Sequence, residues 1–316
     1  EDIRPCVGAN YCLDRIYQGG AAYCIHNPAT GRETSMPHDI PKAASKRKIV
    51  IVGAGVAGLE AARVAAERGH EVVVFEAANQ AGGQVRLTAQ SERRREMISI
   101  VEWRMAQCLA RGVSFRFNTW AEASTIHDEN PDVVIIATGG LPHTEILSTG
   151  NELVVSTWDI IAGDVKPGRN VLLFDDAGDH AGLQAAEFIA RSGAKVEIMT
   201  PDRTFAPEVM AMNLVPYMRS LQALDTTFTV TFRLLAVERE GQDLLATIDS
   251  DYGSARKVRR VDQVVVNHGT RPLDDLYFEL KSASSNGGVV EHQDLIVGNP
   301  QQVVTNPDGR FQLFRI

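Results

Sequence analysis

The sequence is poor in several features, and each shortage closes off a class of function. Its 316 residues include only four cysteines. No two of them form the CxxC pair on which most structural zinc sites are built. They are not spread as a secreted disulfide framework either, since three fall at positions 6, 12 and 24. A reducing, cytoplasmic setting is expected. No apolar run reaches the roughly 20 residues of a membrane span. The strongest, residues 49–59, is full of Gly and Ala, so no membrane span is expected. Positive charge is in deficit: 32 Lys and Arg stand against 40 Asp and Glu, and the net charge is −8. Phosphate backbones call for clustered basic residues, so no nucleic-acid partner is expected. Residues 1–30 do not read as a secretory leader, because Asp2, Arg4, Asp14 and Arg15 are scattered through them. HExxH, GxSxG and Ser/His/Asp patterns are missing as well. No catalytic residue is therefore assigned to this chain.

What is present is an ordinary globular composition, 44% hydrophobic and 23% charged, in a chain long enough for about two domains. Residues 1–34 are rich in Cys and Gly. Residues 35–46, "SMPHDIPKAASK", read as a linker. Strand–helix–strand alternation follows. Residues 49–52 and 72–75 read as buried parallel strands, with a helix over 58–68 between them. A helix is expected over 92–111, where Met97, Val101, Met105 and Cys108 fall at helical spacing, and Cys108 reads as a core thiol. Strands are expected at 113–117 and 132–140. A second strand–helix–strand runs over 170–200. Residues 226–268, with "TTFTVTF" and "LLATIDS", predict antiparallel strands. "GRFQLFRI" reads as a last strand.

The turn Gly53-Ala54-Gly55-Val56-Ala57-Gly58 is GxGxxG. It follows a predicted strand and opens a predicted helix, and Glu76 ends the next strand. That is the context the motif demands. Gly53 allows the tight turn, Gly55 lets backbone approach a pyrophosphate, and Gly58 lets helix and strand pack closely. The helix N-terminus supplies free N–H groups and positive dipole. The Glu76 carboxylate can accept from ribose hydroxyls, and its charge disfavours a 2′-phosphate. With "GGQVRLTAQSERRR" after Glu76 and "ATGG" at 137–140, the unit resembles the two-dinucleotide-domain flavoproteins of the disulfide-reductase class. These bind FAD in a first unit and a nicotinamide cofactor in a second, inserted one.

The second unit keeps the strand and helix but loses the fingerprint. Its turn reads Asp175-Asp176-Ala177-Gly178-Asp179-His180-Ala181-Gly182. Three carboxylates lie where a pyrophosphate would sit, and like charges a few Å apart repel by about 1 kcal/mol or more. The favoured reading is a lost NAD(P)H site. The competing one has these Asp residues pointing to solvent or capping the helix.

The cysteines follow C-x5-C-x11-C in a glycine-rich stretch. From the residues alone, soft-metal ligation and simple burial are equally open. "RPCVGANYCLDRIYQGGAAYC", then a linker, then "KIVIVGAGVAGLEAARVAAERGHEVVVFE", resembles the C-terminal half of a flavoprotein family. It contains trimethylamine, dimethylamine and histamine dehydrogenases and 2,4-dienoyl-CoA reductase. The branch resembled most is that of N-methylproline or dimethylglycine demethylases. The resemblance implies an α/β fold of two Rossmann-like units, the second inserted in the first, preceded by the cysteine loop. The implied boundaries are 1–46 for loop and linker, 47–148 with 291–316 for an FAD- or ADP-binding domain, and 149–290 for the inserted NAD(P)H-binding-like domain. It implies a nucleotide site at Gly53, Gly55, Ala57, Gly58, Glu76, Gln84, Arg94, Trp120, Ala137, Thr138 and Gly139. It implies an iron–sulfur cluster on Cys6, Cys12 and Cys24. Ala9 stands where the family has a fourth cysteine, leaving a four-iron cluster with another ligand, a three-iron cluster, or none. The implied partners are an N-terminal FMN-bearing barrel of the same protein and an electron-accepting protein such as an electron-transfer flavoprotein. The implied activity is the electron-handling half of an amine dehydrogenase or N-demethylase. An NADPH-dependent dienoyl-CoA reductase-like enzyme and a structural ADP-binding scaffold are the alternatives.

Overall fold

The computed structural model describes residues 3–316, so residues 1 and 2 of the expected 1–46 segment lie outside it. Helix α1 (Tyr11–Tyr17) starts after Asn10, whose φ of 60° is left-handed, a region Asn tolerates better than most residues. Turns and coil lead to strand β1 (Lys48–Val52), helix α2 (Val56–Glu67) and strand β2 (Glu71–Phe75). Short helix α3 (Gln84–Thr88) follows, then a 3-10 segment, Glu92–Ile98, and helix α4 (Ser99–Ala110). The single helix expected over 92–111 is therefore two pieces. The tighter piece carries Arg93 and Arg94, which reach across to the second half of the chain. Strand β3 (Ser114–Arg116), helix α5 (Ala123–Asp128) and strand β4 (Val133–Ile136) complete this stretch.

Strands β5 (Gly140–Pro142) and β6 (Val154–Ser156) lead into helix α6 (Thr157–Ala162). Strand β7 (Asn170–Asp175), helix α7 (His180–Arg191), strand β8 (Lys195–Met199), helix α8 (Ala211–Ala223) and strand β9 (Thr227–Thr229) follow. An antiparallel ribbon, β10 (Arg233–Glu240), β11 (Asp243–Ser250) and β12 (Gly253–Val261), precedes strands β13 (Gln263–Asn267) and β14 (Thr270–Pro272). Helices α9 (Asp275–Lys281) and α10 (His292–Val297) come before the last strand, β15 (Gln312–Arg315).

Two five-stranded sheets form, ordered β15-β4-β1-β2-β3 and β6-β13-β7-β8-β9. All pairings within them are parallel. Parallel strands covered on both faces read as Val and Ile runs. In β1, Ile49 and Ile51 face Leu59 and Ala62 of α2, while Val50 and Val52 face Ile126 and Leu313 on the other side. In β7, Val171 and Leu173 meet Leu183 and Ile189 of α7, and Leu172 and Phe174 meet Ile248 and Val266. The antiparallel expectation for 226–268 needs correction at its ends. The ribbon β10–β12 is antiparallel, but β9 and β13 are parallel members of the second sheet. The alternation in "TTFTVTF" reflects the half-covered edge position of β9, not its direction. Among the described residues, no helix is long and apolar enough to cross a membrane.

The sheets are tied together. β5 pairs with β14. Arg93 bridges to buried Glu187 at 2.8 Å, and Gln184 Nε2 donates to the carbonyls of Leu87 and Thr88 at 3.1 and 3.2 Å. The cysteine loop is anchored to both halves. Asn213 Nδ2 donates to the Ala9 carbonyl at 3.0 Å, Arg104 donates to the His26 carbonyl at 3.1 Å, and Arg4 stacks on Trp103 at 4.3 Å.

Candidate functional site

Five parallel strands place their carboxyl ends on one edge, and ligands of open α/β sheets bind there, where strand order reverses. In the first sheet that edge carries Gly53 to Gly58 after β1, Glu76 after β2 and Ala137 to Gly139 after β4. These segments enclose a cavity of about 810 Å³, within the range of small-molecule and cofactor sites.

The three glycines do different physical work. Gly53 has φ 101°, and a Cβ there would collide with the Ala137 carbonyl. A Cβ on Gly58 would strike the Gly53 carbonyl and press on Ala137. Both glycines are therefore demanded by packing. Gly55 is different: a Cβ there meets nothing within 4 Å. Its absence serves no protein neighbour and leaves room at the cavity wall. Gly55 is also the N-cap of α2, with no side-chain cap and no acidic residue in the first turn. The leading N–H groups of a helix lack intrahelical partners, and their partial positive charge suits an anion.

Glu76 is pinned at the cavity. Its Oε2 accepts from the Ala54 N–H at 2.7 Å and its Oε1 from the Ala78 N–H at 2.9 Å. A carboxylate oxygen accepts more than one bond, so both can still receive from ribose hydroxyls. Of the residues expected from the sequence, Gly53, Gly55, Ala57, Glu76, Gln84, Trp120, Ala137, Thr138 and Gly139 line the cavity. Trp120 stands on the rim, 67% exposed. Thr138 Oγ1 is taken by the Leu273 carbonyl. Gly58 lies behind the turn. Arg94 does not line the cavity: its Nη1 sits 2.8 Å from His180 Nδ1 on α7, making it a contact between the sheets. The lining includes Glu76, Glu122, Asp275 and Glu279 but no Lys or Arg. A pyrophosphate there would be held by backbone N–H groups and the helix dipole.

The second sheet's turn is built oppositely. Asp175 is 3% exposed, and its Oδ1 accepts from the Gly178 N–H at 3.0 Å and from Asn267 Nδ2 at 2.9 Å. Burial pushes its carboxyl up to about 7. Asp179 caps α7, accepting from the Ala181 N–H at 2.8 Å, and shares Asn267 Nδ2 at 2.9 Å. Asp176 pairs with His268 Nδ1 at 2.8 Å. Side chains from the turn itself thus take backbone donors that an incoming phosphate would need. Of the two readings of these Asp residues, the helix cap is what Asp179 forms. Asn267, at the end of β13, was not singled out from the sequence. The signal was its place at a strand's carboxyl end, where parallel sheets bind.

The thiols fit a cluster poorly as placed. Cys6 and Cys12 are exposed and Cys24 is half-buried, with the His26 N–H donating to Cys24 Sγ at 3.4 Å. Among the described residues, no three His, Cys, Asp or Glu side chains are grouped to hold a metal ion. Ala9 packs toward Val7, Met97 and Ile100. Cys108 is buried, its thiol pushed up to about 12 by desolvation, as a core residue would be.

Comparison with known proteins agrees with this geometry. A family profile described as an NAD(P)-binding Rossmann-like domain matches residues 51–104. Over 316 residues the chain is 74% identical to a probable N-methylproline demethylase of Rhizobium meliloti, covering 100% of this chain and 47% of that protein. This is the branch that the cysteine loop and first glycine turn resemble. An N,N-dimethylglycine/sarcosine dehydrogenase of Chromohalobacter salexigens is 44% identical over 327 residues, covering 99% of this chain and 47% of that protein. A solved 2-naphthoyl-CoA reductase complex superposes with TM-score 0.81 at 27% identity, covering 100% of this chain and 43% of that one. The relatives are oxidoreductases by name, and the chain spans about half the length of the curated relatives it matches.

Proposed function

We propose that this chain is the dinucleotide-binding, electron-handling part of a flavoprotein oxidoreductase that oxidises an N-methylated amine. In this reading residues 47–148 and 291–316 form one unit and 149–290 an inserted second. The pairing of β15 with β4 supports that division. The observation that carries the function is the contrast between an open glycine turn in an 810 Å³ cavity and a second turn filled by Asp175 and Asp179. FAD suits the first; when bound, it supplies exchange of one or two electrons. The chain's own residues bind and orient it: the α2 N-terminus faces the pyrophosphate, Glu76 receives the ribose hydroxyls, and Gln84, Thr138 and Gly139 border the other half. ADP in the same place would make the unit a scaffold.

The closed second turn supports electrons leaving to a protein acceptor, such as an electron-transfer flavoprotein, over reduction by NADPH. FMN and the amine are assigned to the part of the relatives' length that this chain does not span. Because Cys6, Cys12 and Cys24 are not grouped, no electron step is routed through a cluster. The test is the absorption spectrum of the intact protein with FAD, ADP and NADPH added in turn. Stoichiometric bound FAD that NADPH does not reduce is expected. Binding of ADP but never FAD establishes the scaffold, and flavin bleached by NADPH establishes the reductase.

A further inference from the structure

The FAD-type cavity is not made by the first unit alone. Trp158, on α6 of the second sheet, lines it, and also lines a second cavity of about 140 Å³ together with Gln84, Leu87, Asp179 and Asn267. Trp158 therefore walls both spaces. The smaller cavity lies between the open turn's surroundings and the filled turn. Its wall joins Gln84 to Asp179 and Asn267, the side from which a ring bound on the second unit would approach the first.

Strand order says which end of a dinucleotide Trp158 faces. In β15-β4-β1-β2-β3, Glu76 follows β2 on one side of the glycine turn, and Gly139 follows β4 on the other. A pyrophosphate at the turn after β1 sends the ribose that Glu76 receives toward β2. The remaining half must lie toward β4. Gln84 is on that side, its Nε2 4.0 Å from where a Cβ on Gly139 would stand. Trp158 shares the smaller cavity's wall with Gln84, so it belongs to the same side.

The helix that carries Trp158 is capped. Ser156 and Asp159 form a reciprocal cap around it, with the Ser156 N–H donating to Asp159 Oδ2 at 2.7 Å and the Asp159 N–H to Ser156 Oγ at 3.2 Å. The neighbouring Thr157 Oγ1 donates to Asn267 Oδ1 at 3.5 Å. Asn267 is the residue whose amide joins Asp175 and Asp179. The filled turn and the indole's helix thus share one anchor.

We infer that Trp158 is a positioning residue for the flavin: its indole borders the isoalloxazine end of the cavity and occupies the approach that a nicotinamide ring from the second unit would use. This rests on the FAD reading given above. Fluorescence of bound flavin in the intact protein tests it. Indole and phenol quench excited isoalloxazine by electron transfer at contact, whereas a phenyl ring does not. Trp158→Phe, which keeps an aromatic ring, should raise the flavin's emission several-fold and lengthen its lifetime. Trp158→Tyr should stay dark. Trp103→Phe, on α4 and lining neither cavity, should change neither. With FAD bound stoichiometrically, a Trp158→Phe protein as dark as the parent overturns the placement. So does a Trp103→Phe protein that brightens as much. If no FAD binds at all, the flavin reading falls together with this one, and the absent flavin spectrum separates that outcome from the others.

Discussion

The chain contains the same local plan twice and uses it in opposite ways. α2 and α7 are both 12 residues long and both follow a buried parallel strand. α2 begins at Gly55, without a side-chain cap. α7 begins at Asp179, whose carboxylate caps it. In the first turn the glycine spare of contacts marks the opening. In the second, a Cβ on Gly182 would strike the Asp175 carboxyl group, so that glycine makes room for the protein's own side chain. An open turn and a self-filled turn differ by which carboxylates occupy the donors. The overall fold is the same.

The largest expected effects come from the glycines, and they sharpen the contrast. Gly55→Val should abolish FAD and ADP binding while leaving stability within about 0.5 kcal/mol, the range of substitutions that disturb no packing. Gly58→Val should unfold or severely destabilise the protein, because its Cβ has nowhere to go. Thermal melts with nucleotide titrations separate the two. Equal behaviour of the variants would break the distinction between a packing glycine and an opening one.

Next is the buried carboxyl of the filled turn. Raised from 3.8 to about 7, Asp175 holds its proton in the folded state after the unfolded chain has lost it. Folding is therefore favoured below about pH 4, and this contribution is lost as pH rises to about 7. His180 runs the other way. Buried beside Arg94 and lowered to about 4, it resists a proton that the unfolded chain accepts below pH 6.5. From pH 4 to 6.5 the two slopes oppose each other. Asp175→Asn should gain stability relative to the parent by up to roughly 1.4 kcal/mol per pH unit across that window. Denaturant midpoints at pH 5 and pH 7 read the difference. A constant offset between variant and parent would contradict the buried, proton-holding Asp175.

Glu76→Ala comes third. A hydrogen bond to a charged group is worth about 1.5–3 kcal/mol, and ADP affinity should fall by that much. Some loss of stability should accompany it, because the Ala54 and Ala78 N–H groups lose their acceptor. An affinity change of only a few tenths of a kcal/mol would place the ribose elsewhere.

Much of this was legible in the sequence because the information was local. GxGxxG between a strand and a helix, an acid ending the next strand and small residues after β4 all act within a few positions of one another. The Asp-rich second turn was visible too. Its closure was not, because the partners that lock it, Asn267 and His268, lie about 90 residues away. Arg94 misled for the same reason. The resemblance implies it at the nucleotide site, yet its contact is His180 on the second sheet's helix α7. Trp158 carries no motif at all. Its place comes from the fold, which sets Trp158 of α6 in the wall of the first sheet's cavity.

The central claim, one open and one filled turn, is tested most directly by calorimetric titration of the intact protein with ADP and with NADPH. The account predicts one ADP site, lost in Gly55→Val, and no NADPH binding tighter than about 100 μM, a free energy near −5.5 kcal/mol. NADPH binding tighter than that and surviving Gly55→Val would place an open turn in the second sheet and contradict the account.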